Sequence, residues 1–197
     1  MTPTEGDPLP MSAPPIVDDA ELIAASRDDP ERFTSVYDRH FAAIRRYIAA
    51  RLGPEPADDV AAEAFLTAFR RRADYDPVRG EVRAWLFGIA TRLVGEHRRV
   101  EERRYRTLAR LGPGRPEDGP EERVADAVDA RLAQPRLAAA LRALSRKERD
   151  VLLLAAFTDL ARDDIAVALA IPVGTVDSRL NRARGKLRAA LSTTKGK

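Results

Sequence analysis

Near its C-terminus the chain sets Thr175, Asp177, Ser178, Arg179, Asn181, Arg182, Arg184 and Lys186 around an unbroken apolar spacing. Val173, Val176, Leu180, Ala183, Leu187 and Leu191 step by three or four residues, which is one stripe of an amphipathic helix. The remaining faces are polar and basic. Arginine, asparagine and serine side chains hydrogen-bond base edges, while arginine and lysine meet phosphates. Residues 172–197 hold seven bases against a single acid, Asp177. A second basic cluster, Arg98, Arg99, Arg103, Arg104 and Arg106, lies mid-chain. Two separated basic segments on a chain of net charge +3 suit two contacts with a polyanion. On charge alone, a pair of solvated helix faces explains them equally well.

Other chemistries lack their residues. There is no cysteine, which excludes disulfides, thiolate metal sites and a thiol nucleophile. The two histidines, His40 and His97, are far apart, so no metal site is expected. No G-x-S-x-G, Walker A or H-E-x-x-H pattern occurs, and Gly112-Pro113-Gly114 is no phosphate loop because proline removes a backbone donor. No catalytic residue, metal or cofactor is expected. No stretch reaches the ~18–20 apolar residues of a membrane span. Met1–Ala20 has neither a basic start nor an apolar core, so a secretory signal is not expected and a cytoplasmic location is.

The elements that must carry these side chains are helices throughout. At 197 residues, one or two domains are expected. Residues 1–17 hold five of the fourteen prolines and read as a disordered tail. Leu22, Phe33, Tyr37, Phe41, Ile44 and Ile48 follow helical spacing until Gly53-Pro54. Val60–Arg72 is a second helix, with Asp58 and Asp59 at its positive end. A loop through Gly80 precedes a third helix from about Glu81 to Arg104, whose stripe is Trp85, Leu86, Ile89, Ala90, Leu93 and Val94. Six of the nine residues 112–120 are Gly or Pro, so that stretch is a linker; helical periodicity resumes after about Glu121, limited by Pro135. Ser145 and Glu148 have capping-box spacing before the run Val151–Phe157. A short helix over Leu160–Leu169 and a break at Ile171-Pro172 precede the final helix, so the last two form a helix-turn-helix. The predicted fold is all-α, with two helical domains joined by a flexible linker.

The stretch LARDDIAVALAIPVGTVDSRLNRARGKLR, residues 160–188, resembles region 4 of the extracytoplasmic-function group of bacterial sigma factors, and ALRALSRKERDVLLL before it resembles the first half of that region. The stretch ADDVAAEAFLTAFRR, from Ala57, and DYDPVRGEVRAWLFGIATRLVGEHRR, residues 74–99, resemble region 2. AWLFGIA and the D-P-x-x-G loop are the clearest signatures. The resemblance implies a region 2 domain over 18–104, a linker over 105–134, a region 4 domain over 135–192 and a basic tail over 193–197.

It also implies an alternative sigma factor without enzyme activity, whose partners are core RNA polymerase and promoter DNA. Asp58, Asp59, Glu63, Phe65, Leu66 and Phe69 would then meet the polymerase clamp helices, although spacing alone makes Phe65 and Phe69 core residues. Tyr75, Asp76 and Arg79 of the loop, with Arg83, Thr91, Arg92, Glu96, His97, Arg98 and Arg99 of the next helix, would take the single-stranded −10 element. A flipped base costs a few kcal/mol, which a pocket offsets. Trp85 reads as core. Thr175, Asp177, Ser178, Arg179, Asn181, Arg182 and Arg184 would read the duplex −35 element. An anti-sigma factor is a further partner the family suggests, though no residue here identifies one.

Four positions depart from the family pattern. Ala62 stands where glutamine is common, Ala170 replaces a turn glycine, Asp177 a lysine, and Ala161 a serine, with Asp159 expected to cap in its place. An operator-binding regulator using only the helix-turn-helix is the competing reading, and AWLFGIA with its loop argues against it.

Overall fold

A computed structural model describes residues 17–111 and 135–192. The tail through residue 16, the linker from 112 to 134 and the last five residues, with the helix expected after Glu121, lie outside the described residues. Eight α-helices occur among those described: α1 Asp19–Ala25, α2 Phe33–Leu52, α3 Ala57–Arg70, α4 Val82–Leu111, α5 Pro135–Arg142, α6 Arg146–Phe157, α7 Arg162–Leu169 and α8 Val173–Ser192. None is long and apolar enough to cross a membrane.

The first expected helical run is two helices. Pro30 opens a 3-10 turn that separates α1 from α2, and Asp29 caps it by accepting from the Glu31 amide. Asp19 then pins α1 to α2 by accepting from Arg39 at 2.7 Å and bonding His40 Nε2 at 2.5 Å. Gly53, at φ 89°, ends α2 where a side chain is disfavoured. Val36, Ile44, Tyr47 and Ile48 of α2 meet Val60, Ala61, Ala64 and Ala68 of α3 and Leu86, Phe87, Ala90 and Val94 of α4, all buried. Helix α4 runs to Leu111, past the boundary expected at Arg104.

In the C-terminal half the capping box forms as expected: the Glu148 amide donates to Ser145 Oγ, and Ser145 N–H donates to Glu148 Oε2 at 2.9 Å. At α7 the expected cap is corrected. Asp164 accepts from the Ala161 amide at 3.1 Å, because its position inside the first turn reaches back, whereas Asp159 turns to Arg83. Ala170 closes α7 in the left-handed region, φ 50° and ψ 49°, and the Ile171 amide donates to the Ala166 carbonyl at 3.0 Å. The alanine Cβ is strained there. Ala170→Gly is therefore expected to stabilise the chain by about 0.5–1 kcal/mol, net of the unfolded-state entropy that glycine adds. A urea titration that finds no gain would place the strain elsewhere.

The two halves also pack directly on each other. Buried residues from Leu22 to Leu180 form one continuous cluster, and α4 lies against α7. Glycine makes the approach possible: a Cβ at Gly88 would stand 2.6 Å from the Ala168 carbonyl oxygen. A smaller cluster of Leu141, Leu144 and Ala183 seats α5 on α8.

Candidate nucleic-acid and polymerase interfaces

Helix α8 buries Val176, Leu180 and Ala183 and turns its other faces outward. Asn181, Arg182 and Arg184 are exposed, while Thr175, Asp177 and Arg179 are half-buried. Ser178 donates to the Thr175 carbonyl at 3.1 Å, and Arg182 folds back to the Ser178 carbonyl at 3.2 Å. Asp177 is held in an ion pair by Arg162 of α7 at 3.0 Å. Its charge, which alone would repel phosphates, is thus compensated across the helix-turn-helix. Sequence spacing gave no sign of this pair, because fifteen residues and a turn separate its members.

The far end of α8 is tied to α6. Lys186 Nζ donates to Glu148 Oε2 at 2.8 Å, and the same oxygen takes the Ser145 amide and hydroxyl. The Lys186 hydrogen bond first, then the two from Ser145, hold the Glu148 carboxyl down at about 2, against 4.5 ordinarily. A lowered folded value means the contribution is fully present above the unfolded value near 4.5. It is lost as pH falls from there toward 2. The melting temperature is thus expected to fall across that window, and Glu148→Gln should flatten the acid limb measured by circular dichroism.

In the N-terminal half, the loop before α4 is shaped by Asp76, which accepts from the Val78 amide at 3.0 Å and pairs with Arg79 at 3.4 Å. Val78 and Arg79 are outermost, whereas Tyr75 points inward, donates to the Gly80 carbonyl at 3.0 Å and lies 5.3 Å from the Trp85 ring. Arg92 and Arg99 are exposed, with Arg92 paired to Glu96 at 3.0 Å; His97 is half-buried.

Two expected strand contacts are corrected in this arrangement. Thr91 is buried, donating to the Phe87 carbonyl at 2.7 Å and bonding the Tyr47 hydroxyl at 2.8 Å. Arg98 is only 8% exposed and donates to the Arg51 carbonyl at 2.7 Å. Burial, then the nearby Arg51 and Arg149 guanidinium groups, push Arg98 below its ordinary value, a mark of surplus positive charge in a dry setting. Arg83 is occupied as well, by Asp159 at 3.1 Å.

The expected polymerase residues share α3 but not one environment. Asp59 and Glu63 are exposed, and Leu66 is 47% exposed. Phe65 is buried against Tyr37 and Phe41, whereas Phe69 is half-buried, packing edge-on to Phe33. Asp58 is bound by Arg45 of α2 in a two-pronged ion pair, which pulls its carboxyl below the ordinary value. Beside these rings an open groove of about 310 Å³ is lined by Pro30, Phe33, Thr34, Tyr37 and Phe69.

Two families match in this order along the chain: sigma-70 region 2 over residues 36–104 and sigma-70 region 4 over 135–187. The RNA polymerase sigma factor CnrH of Cupriavidus metallidurans is 32% identical over 187 residues, covering 88% of this chain and 95% of CnrH. The ECF RNA polymerase sigma factor SigL of Mycobacterium tuberculosis is 31% identical over 173 residues, covering 87% and 96%. The chain belongs to the extracytoplasmic-function sigma factors. This sigma factor has the fold seen in CnrH solved with the cytosolic domain of CnrY, at TM-score 0.62 and 28% identity, over 90% of this chain and 99% of that one. The sigma factor RpoE solved with the anti-sigma factor NepR from Bartonella quintana shares the fold at TM-score 0.59 and 19% identity, over 83% and 98%. As an alternative sigma factor, the protein directs promoter-specific transcription initiation by core RNA polymerase.

Residues missed by sequence reasoning cluster where region 2 meets region 4: Tyr47, Arg51 and Asp150, joined by Arg162 inside region 4; Lys186 was named, but not its pair with Glu148. One signal was present. Arg51 interrupts an otherwise apolar run, YIAARL, one turn after Tyr47.

Proposed function

We propose that region 2, residues 18–104, docks on the polymerase clamp helices through Asp58, Asp59, Glu63 and Leu66, with Phe65 and Phe69 shaping the surface beneath them. Its loop, through Asp76 and Arg79, and α4, through Arg92, Glu96, His97 and Arg99, take the opened −10 strand. Tyr75 serves by fixing the loop at Gly80, and Arg83 becomes available when its pair with Asp159 breaks. Region 4, residues 135–192, reads the −35 duplex through α8, with Arg179, Asn181, Arg182 and Arg184 outward, Thr175 and Ser178 at its start, and Asp177 holding Arg162. Residues 105–134 link the two domains, and residues 1–17 and 193–197 are tails. The sigma factor supplies binding and strand separation, and the polymerase supplies the chemistry. The setting is the cytoplasm. An anti-sigma factor is included among the partners, in keeping with the NepR complex of RpoE.

The observation that carries this reading is the exposed basic face of α8 above its buried Val176–Leu180–Ala183 stripe. Size-exclusion chromatography with core polymerase lacking any sigma factor tests it. Co-elution is expected; tight dimeric binding to a palindromic duplex without co-elution would favour an operator-binding regulator. Once holoenzyme has selected a promoter from a randomised duplex library, Arg179→Ala is expected to weaken promoter binding by about 1–3 kcal/mol. Unchanged binding by that variant would remove Arg179 from the reading face.

A further inference from the structure

Where the start of α2 meets the end of α3, the surface stays apolar. The open groove there is lined by Pro30, Phe33, Thr34, Tyr37 and Phe69, so aromatic rings make most of its wall. Tyr37 is exposed on its rim, and Leu66 is exposed on α3 one turn before Arg70. Basic groups close the α3 end. Arg72 lies over the Phe69 ring at 4.0 Å, held by the Ser26 and Phe69 carbonyls. Arg70 is exposed and has no ion pair among the described residues.

A segment of matching chemistry is tethered close by. Residues 1–16 hold Pro3, Pro8, Pro10, Pro14 and Pro15, the apolar Leu9, Met11 and Ile16, and the acids Glu5 and Asp7, with no Lys or Arg. Proline-rich segments dock in aromatic-lined grooves because the ring fixes φ and leaves little entropy to lose. Building on the docking of region 2 on polymerase, we propose that residues 7–11 of this chain occupy the groove, with Leu9 against Phe33, Tyr37 and Phe69. They thereby cover the polymerase-binding face around Leu66 in the free sigma factor.

Reach and charge both fit this occupant. The chain enters α1 at Val17, whose carbonyl accepts from Arg39 at 2.7 Å. Arg39 follows Tyr37 by two residues, about 200° around α2, so the segment starts on the side of α2 away from the groove. A helix with its side chains is about 10–12 Å across, and the eight residue steps from Leu9 to Val17 (17 − 9) span about 25 Å when extended. That length crosses α2 with Leu9 at the groove. The crossing stretch, Pro8 to Ile16, is uncharged and passes the exposed Asp38 without repulsion. Beyond the groove, Asp7 and Glu5 then arrive at Arg70 and Arg72. A second copy of the chain would have to find the groove at its concentration in solution, whereas the tether supplies the segment at about millimolar.

The chain has no cysteine, so disulfide trapping in the full-length protein tests this cleanly. Leu9→Cys with Thr34→Cys is expected to close within one chain, under mild oxidation, about tenfold faster than Leu9→Cys with Arg46→Cys. Arg46 is exposed on the same side of α2 as Arg39, two turns away, and is reached at least as easily. Equal rates for the two pairs overturn the proposal, and so does a disulfide that forms between chains, which would make the occupant a second copy. The closed Leu9–Thr34 pair should lose co-elution with core polymerase and regain it in dithiothreitol; co-elution retained after closure overturns the covering role. In the reduced state, Leu9→Asp with Met11→Asp should raise affinity for core polymerase about fivefold, the gain for a face covered four-fifths of the time. An unchanged affinity counts against the proposal. A parent that fails to bind core polymerase at all would instead sink the sigma-factor reading, while the two trapping rates still report on the groove.

Discussion

Truncating Phe87 to alanine is expected to cost about 3–5 kcal/mol, the range for emptying an aromatic from a packed core. Phe87 is 1% exposed, stands perpendicular to Tyr47 with ring centroids 5.4 Å apart, and carries the Arg83 guanidinium 5.9 Å above its ring. The loss therefore removes buried area, an edge-to-face pair and a cation–π contact together. The cavity would lie between α2 and α4, both long helices held by other neighbours, so collapse around it is limited. Against a total stability of about 5–15 kcal/mol the protein should remain folded at neutral pH. A urea titration reads this as a lower midpoint at constant slope. A cost under about 1 kcal/mol would mean that α2 and α4 do not meet as described.

Its neighbour makes the contrasting case. Gly88→Val is expected to leave both domains folded and to drive them apart. The helix itself gains from losing a glycine, by up to about 1 kcal/mol for the alanine variant. The new Cβ, however, would stand 2.6 Å from the Ala168 carbonyl oxygen, with the Ala168 carbonyl carbon and Cα both at 3.3 Å. That obstacle is the backbone of α7, which is held by Ile165 and Ala166 in the core and cannot turn aside as a side chain would. Overpacking of this kind costs about 1–3 kcal/mol, a shift of about 5–150-fold toward separated domains. Small-angle scattering should record a larger radius of gyration, with helix content unchanged by circular dichroism. A variant as compact as the parent would refute the direct α4–α7 contact. Gly88→Ala should give the same change in smaller degree.

These adjacent residues also mark where sequence reading succeeds and where it stops. Features that repeat within one helix were legible: the Val176–Leu180–Ala183 stripe, the Ser145–Glu148 box and the burial of Phe65. Ala170 was marked only through the family resemblance, as an alanine in place of a turn glycine, and its left-handed backbone came from the structure. Thr91 and Arg98 were placed on the polar side of α4 from their residue types alone. A threonine can satisfy its hydroxyl on its own helix, and an arginine can lie under a second domain, so polarity does not imply exposure. The break between α1 and α2 was blurred because Leu22 and Phe33 keep helical spacing across Pro30. Nothing in AWLFGIA says which neighbour its glycine admits. That depends on a helix about eighty residues later, and periodicity has no reach of that length.

Trp85 gives the protein an optical consequence. It is the single tryptophan in the chain, half-buried on α4 and 5.3 Å from the Tyr75 ring that anchors the loop ahead of it. An indole in that position samples both the loop and the start of α4 in its excited state. Its emission maximum and quenching by acrylamide therefore belong to one known site rather than to an average over several. The loop and the first turns of α4 can be followed in real time on the natural protein, without a dye.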